Sequence, residues 1–126
     1  MGITINLVND SNIDLVKNAT DEQLEQAFIA IASSAEAYAL VEVDKLVYQT
    51  PESPNYTRTY RLRDNITSAS DGRSAVVGTD VEYAPYVEYG SRGMHARPFL
   101  RNAVENHVDY YQKVLETYLS HVPDQN

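Results

Sequence analysis

Ten tyrosines and no tryptophan sit alongside seven arginines, all between residues 55 and 101. Tyrosine with arginine is the composition of protein-interface anchors: large rigid area, a polar handle and planar, bidentate donors. The same pair stacks and neutralises single-stranded nucleic acid. Other chemistry is harder to assemble. His107 and His121 lie fourteen residues apart, about 21 Å along a helix, too far to share a metal ion; His107 reads as a packed or rim histidine. His95 has Arg92 and Arg97 nearby but no obvious carboxylate to make it a general base. Ser33, Ser34 and Ser91 lack a nucleophile elbow, and Gly72, Gly78, Gly90 and Gly93 are too scattered to cradle phosphate. Glu82 and Glu88 flank Tyr83, Tyr86 and Tyr89. Paired carboxylates serve hydrolases, but two acids on a tyrosine-rich edge more often face solvent or a partner. No motif specifies a reaction, a cofactor or a metal.

These residues need elements to hold them. Ile3, Ile5 and Leu7 alternate with polar residues as a half-buried strand, and Asn9 to Asn12 reads as a turn before one helical turn at 13–17. Thr20 and Gln23 form a capping-box pattern, so a long helix is expected from there to about Leu46. Its main stripe is Leu24, Phe28, Ile31, Ala35 and Tyr38. A second set, Ile29, Leu40, Val43 and Val47, points roughly the opposite way, which asks for cover on two sides, one from another chain. Thr50 to Asn55, with two prolines, ends the helix. Ile66 to Ser70 and Arg73 to Val77 read as a hairpin turning on Asp71-Gly72. Pro85 permits an edge strand or a helix start in 81–89, Gly90 offers a left-handed stop, and 91–95 reads as a flexible loop. A last helix is expected from Pro98 to Pro123, with a stripe of Leu100, Val104, His107, Tyr111, Val114 and Tyr118. The expected fold is α+β: a long N-terminal helix and a C-terminal helix packed on a small, mainly antiparallel sheet, in a single domain over 1–126.

Composition narrows the classes. The 126 residues carry 18 acids and 10 bases, a formal charge of -8, and the total discourages wholesale binding to a phosphate backbone. Residues 1–54 net -7, residues 55–101 net +2 and the remainder -3. Acidic ends and an arginine-rich middle pair either within the chain or between copies. Cysteine is absent, which fits a reducing compartment and excludes a disulfide framework. No apolar run reaches the length of a membrane span and no export signal follows Met1.

The string Val77-Gly78-Thr79-Asp80-Val81-Glu82-Tyr83-Ala84-Pro85-Tyr86-Val87-Glu88-Tyr89-Gly90, followed by Ala96-Arg97-Pro98-Phe99-Leu100-Arg101, resembles the signature of the neck or tail-completion proteins. These are small tail components of long-tailed phages and prophages, named after a lambdoid coliphage gene product. The resemblance continues upstream through Thr59-Tyr60-Arg61-Leu62-Arg63-Asp64-Asn65-Ile66. There Tyr60 stands where the family usually has glycine, the residue that enters positive φ freely. It implies an α+β structural virion subunit with no catalytic residue, forming a ring, hexameric to match a tail tube, at the head–tail junction. Its neighbours would be head-closure and tail-tube or tail-terminator proteins, with genomic DNA passing through the lumen unbound, in the virion after assembly in the host cytoplasm. Tyr83, Tyr86, Tyr89, Arg92, Arg97 and Phe99 are the expected contact residues, with Arg97 weighed as an anchor of the turn into the last helix ahead of a contact role. A tail-terminator ring protein and a small Tyr/Arg nucleic-acid-binding module or enzyme are the competing readings.

Overall fold

The long helix begins where its cap demands. Thr20 Oγ1 accepts from the Gln23 backbone N–H at 3.1 Å, and the Gln23 side chain accepts from the Thr20 N–H at 2.9 Å. Both donors would otherwise be orphaned. The computed structural model describes residues 1–48 and 60–120. In it, strand β1 (Gly2–Ile5) leads through helix α1 (Ile13–Asn18) to α2 (Asp21–Val43), which runs on into a π-helical turn, Asp44–Tyr48. Then come α3 (Arg61–Asp64), β2 (Ile66–Ser70), β3 (Ala75–Thr79), α4 (Ala84–Tyr89), α5 (Phe99–Glu105) and α6 (Val108–Ser120). The α+β expectation holds. The expected loop at Thr50–Asn55, His121 and the expected helix end at Pro123 lie outside the described residues.

The sheet is antiparallel, in the order β1-β3-β2, with Ile3 opposite Val77 and Thr67 opposite Gly78. Its central strand β3 is buried along most of its length. Glycine is required at 78, because a Cβ there would collide with the Met1 carbonyl and the Gly2 backbone. That closeness lets the Thr79 N–H reach the Met1 carbonyl at 2.8 Å. The hairpin turn falls one residue later than the sequence pattern implies. Asp71 N donates to Ser74 O, so Gly72, at φ +87°, and Arg73 are the turn residues. The Asp71 carboxylate claims the vacant N–H groups of Arg73 and Ser74 at 2.9 and 2.8 Å, which lowers its pKa. An Asx turn has displaced the simple Asp-Gly turn.

Helix α2 packs against the sheet and against α5 and α6. Leu24, Phe28, Ile31 and Ala35 of the expected stripe are buried, and Tyr38 lies at its rim. Ala27, Ala32 and Ala39 complete the buried face; side chains that small let neighbouring elements approach closely. The two-sided reading is corrected here. Val43 is fully buried on the same broad face, Leu40 and Val47 pack at its margins, and only Ile29 of the second set is exposed. At 100° per residue the buried arc spans roughly half the helix, wide enough for sheet and helices together.

The expected last helix is two helices, with Pro98 as N-cap rather than first helical residue. The break falls at Asn106-His107, where the His107 N–H turns to the Val104 carbonyl instead of that of Ala103. The freed Ala103 carbonyl accepts the Tyr111 hydroxyl at 2.5 Å, and burial pushes that phenol's pKa up. His107 stacks flat on Tyr38, ring centroids 3.6 Å apart, the packing role that its position implies. Beyond the break the buried stripe is Tyr111, Leu115 and Leu119. Val114 is half-buried and Tyr118 exposed, so the stripe leans toward Leu115, expected as a widening residue, and Leu119.

Tyr60 adopts φ +60°, ψ +19°, the only left-handed non-glycine among the described residues. Its ring lies 4.7 Å from that of Tyr48, and Tyr48 Oη accepts from the Arg63 N–H at 3.3 Å. A left-handed L-residue carries a cost of about 1–2 kcal/mol that glycine escapes. Tyr60→Gly is therefore expected to be more stable than Tyr60→Ala by about 1 kcal/mol in denaturant unfolding. The reverse order would mean that position 60 does not hold positive φ.

A candidate interaction surface

The 83–101 segment resolves as a helix, a tight turn and a second helix start. Ala84 and Pro85 open α4, where proline's fixed φ suits the first turn. Gly90 closes it at φ +83°, ψ +169°. A Cβ at Gly90 would stand 2.9 Å from Ala96 N and 3.0 Å from Met94 O, so glycine is required twice over, for conformation and for space. Residues 91–95, read from sequence as a flexible loop, are closed by reciprocal bonds between Ser91 and Met94 at 3.1 and 2.9 Å, with Gly93 at φ +81°. The chain then returns to α4, where the Arg97 N–H donates to the Val87 carbonyl at 2.7 Å.

Glu88 holds the unit together. Its place on a tyrosine-rich edge implies solvent or an interface; it is fully buried. One carboxylate oxygen accepts from the Leu100 N–H at 2.8 Å, the other from Arg101 N–H at 3.2 Å and Arg101 Nε at 2.9 Å. Arg101 Nη2 also donates to the Glu88 carbonyl at 2.7 Å. Pro98 makes no side-chain cap for α5, so Glu88 caps it from another helix and answers the positive end of its dipole. A buried charge is tolerable only when paired and hydrogen-bonded this fully. The signal was present in the sequence: Glu88 lies four residues after Ala84, on the inward side of a helix started by Ala84-Pro85.

The expected contact residues divide accordingly. Tyr86 and Tyr89 face outward, 60% and 59% exposed, with the Arg101 guanidinium 4.9 Å from the Tyr89 ring centre. Tyr83 is half-buried beneath Arg61, which lies 5.9 Å from its ring. Arg92 is exposed and Arg97 half-exposed, and among the described residues neither side chain makes an ion pair. Phe99 is the correction: it is fully buried in the core, so it supports the surface without belonging to it. Arg97 anchors through its backbone, which leaves the guanidinium uncommitted. The side-chain anchor is Arg101.

Part of the arginine-rich block is satisfied internally. Arg61 forms a bidentate pair with Glu82 at 2.6 and 2.7 Å, and Arg63 Nε reaches Asp44 at 2.8 Å. The Arg61 pair pulls Glu82 down to about 2. Both partners are exposed, so solvent screens the pair and its worth to stability is small. Among the described residues, no three His, Asp or Glu side chains gather to hold a metal, and no helix is long and apolar enough to cross a membrane. His95 is exposed, and among the described residues no carboxylate pairs with it. No protein-family model, curated protein or solved structure matches the chain.

Glu88→Ala strands two amides and a guanidinium around an emptied site and is expected to cost about 3 kcal/mol or more in denaturant unfolding. Glu88→Gln, which keeps an acceptor, should cost clearly less; equal costs would refute the capping role. For Glu82 the folded pKa is depressed, so its contribution is present above the ordinary 4.5 and fades as pH falls toward 2. Its carboxyl carbon should titrate by NMR near 2 and return toward 4.5 in Arg61→Ala. An unchanged midpoint would deny the pair.

Proposed function

We propose that the chain is a structural virion subunit of a long-tailed phage or prophage. In this reading it is a neck or tail-completion protein that forms a ring, hexameric to match the tail tube, at the head–tail junction. The observation that carries this reading is the outward placement of Tyr86, Tyr89, Arg92 and Arg97 within the 77–101 signature. Two exposed aromatic rings and two uncommitted guanidinium groups stand on a segment pinned by a buried carboxylate. Rigid aromatic and arginine anchors lose little conformational freedom when they dock, which favours assembly.

Two further observations support it. The left-handed Tyr60 falls where the resembling family usually has glycine, the conformation that such a glycine would serve. The acidic total suits a lumen through which DNA slides, since a wall that repels phosphate does not hold it. Head-closure and tail-tube or tail-terminator proteins would meet the ring above and below.

Loss of the gene should leave filled heads and separate tails in electron micrographs; normal plaque-forming particles without it would sink the reading. Arg97→Ala should keep its stability to within about 0.5 kcal/mol and fail to join heads to tails. An Arg97→Ala protein that is insoluble would instead make the side chain an anchor of the fold.

A further inference from the structure

We propose that the Tyr86–Tyr89–Arg92–Arg97 surface docks on the acidic end of α1 and α2 in a second copy of the chain, a head-to-tail contact. This deepens the ring reading and rests on it. Residues 83–101 hold three arginines and one glutamate, and that glutamate is consumed by Arg101. At the other end, Asp10, Asp14, Asp21, Glu22 and Glu25 are all exposed, and among the described residues none has an ion-pair partner. Lys17 and Arg73 are the bases beside them, Arg73 sharing an open hollow of about 620 Å³ with Asp21 and Glu25.

The two surfaces cannot meet within one molecule. Asn102, next to Arg101, donates to Glu42 near the C-terminal end of α2, whereas Gln23 at the other end reaches the Tyr118 carbonyl. The 23 residues of α2 separate these ends by about 34 Å. A two-fold contact through either surface would set arginine against arginine, or acid against acid. Joining unlike surfaces satisfies both and leaves a free copy of each at the ends, which a closed ring removes. The tyrosines supply area at the centre of the contact; the charges set partner and register.

The chain has no cysteine, so single-cysteine variants report the contact cleanly. Arg92→Cys and Glu25→Cys chains, differently tagged, are mixed at high protein concentration with a short bis-maleimide. The expected result is a mixed dimer several-fold more abundant than either same-variant dimer, suppressed by high salt. Adding Arg97→Glu to the first chain should lower its yield about tenfold, and Glu22→Lys in the second should restore it. Same-variant dimers as abundant as mixed ones, or a mixed yield no higher than with a Glu105→Cys control, would overturn the proposal. Should cross-linking fail while gene loss still separates heads from tails, this contact falls and the neck role stands. Cross-linking without any tail-joining defect preserves the contact and removes the role.

Discussion

The surface of this protein depends on a carboxylate that is not on it. Glu88 sits in the core, yet its oxygens collect three N–H donors from the first turn of α5 and from Arg101. Without it that turn has no side-chain cap, and α4 is tied to the rest by the Arg97–Val87 backbone bond and apolar contact. Arg101 extends the constraint outward, one edge on Glu88 and one face against the exposed Tyr89 ring. Charge, cap and aromatic anchor are thus one connected unit. No buried side-chain polar atom among the described residues is left without a partner, the condition under which a buried charge orders a structure instead of weakening it.

Helix α2 supplies the frame. Its alanines let the sheet and the C-terminal helices close on one broad face, and its length keeps the arginine-bearing and acidic ends apart. The π-helical turn that extends it is held by α3 and the residue before it: Arg63 pairs with Asp44, and the rings of Tyr60 and Tyr48 meet. The strained Tyr60 backbone sits within that contact. The strain is retained where ring packing and the Arg63–Tyr48 hydrogen bond act together to hold it.

Elements whose instructions are local were legible in the residues. The capping box, the first strand of the hairpin and the long helix follow from side-chain types at fixed spacings and appear where those spacings put them, whereas the opening strand stops at Ile5, short of Leu7, and the second hairpin strand, expected at 73–77, runs from Ala75 to Thr79. In two places the structure departs from the local pattern where a side chain takes up a backbone group. Asp71 moved the hairpin turn by taking backbone N–H groups, and the Tyr111 hydroxyl fills the Ala103 carbonyl that the break in the last helix frees. The second apolar set on α2 differs from its expected place for another reason. Helical angles say which residues share a face, but not how wide an arc the neighbours will cover.

At the candidate surface the division is sharper. Sequence alone determined the Tyr/Arg composition, the concentration of arginine between acidic ends and the glycines that shape the turns, because these depend on residue identity and local conformation. Only the tertiary structure decided which of those residues face outward. It sent Phe99 and Glu88 inward, spent Arg61, Arg63 and Arg101 on partners within the chain, and left Arg92 and Arg97 uncommitted. Apart from Glu88, whose four-residue spacing from Ala84 sets it on the inward side of α4, burial and pairing here depend on packing against elements distant in sequence, which no spacing rule within residues 83–101 contains.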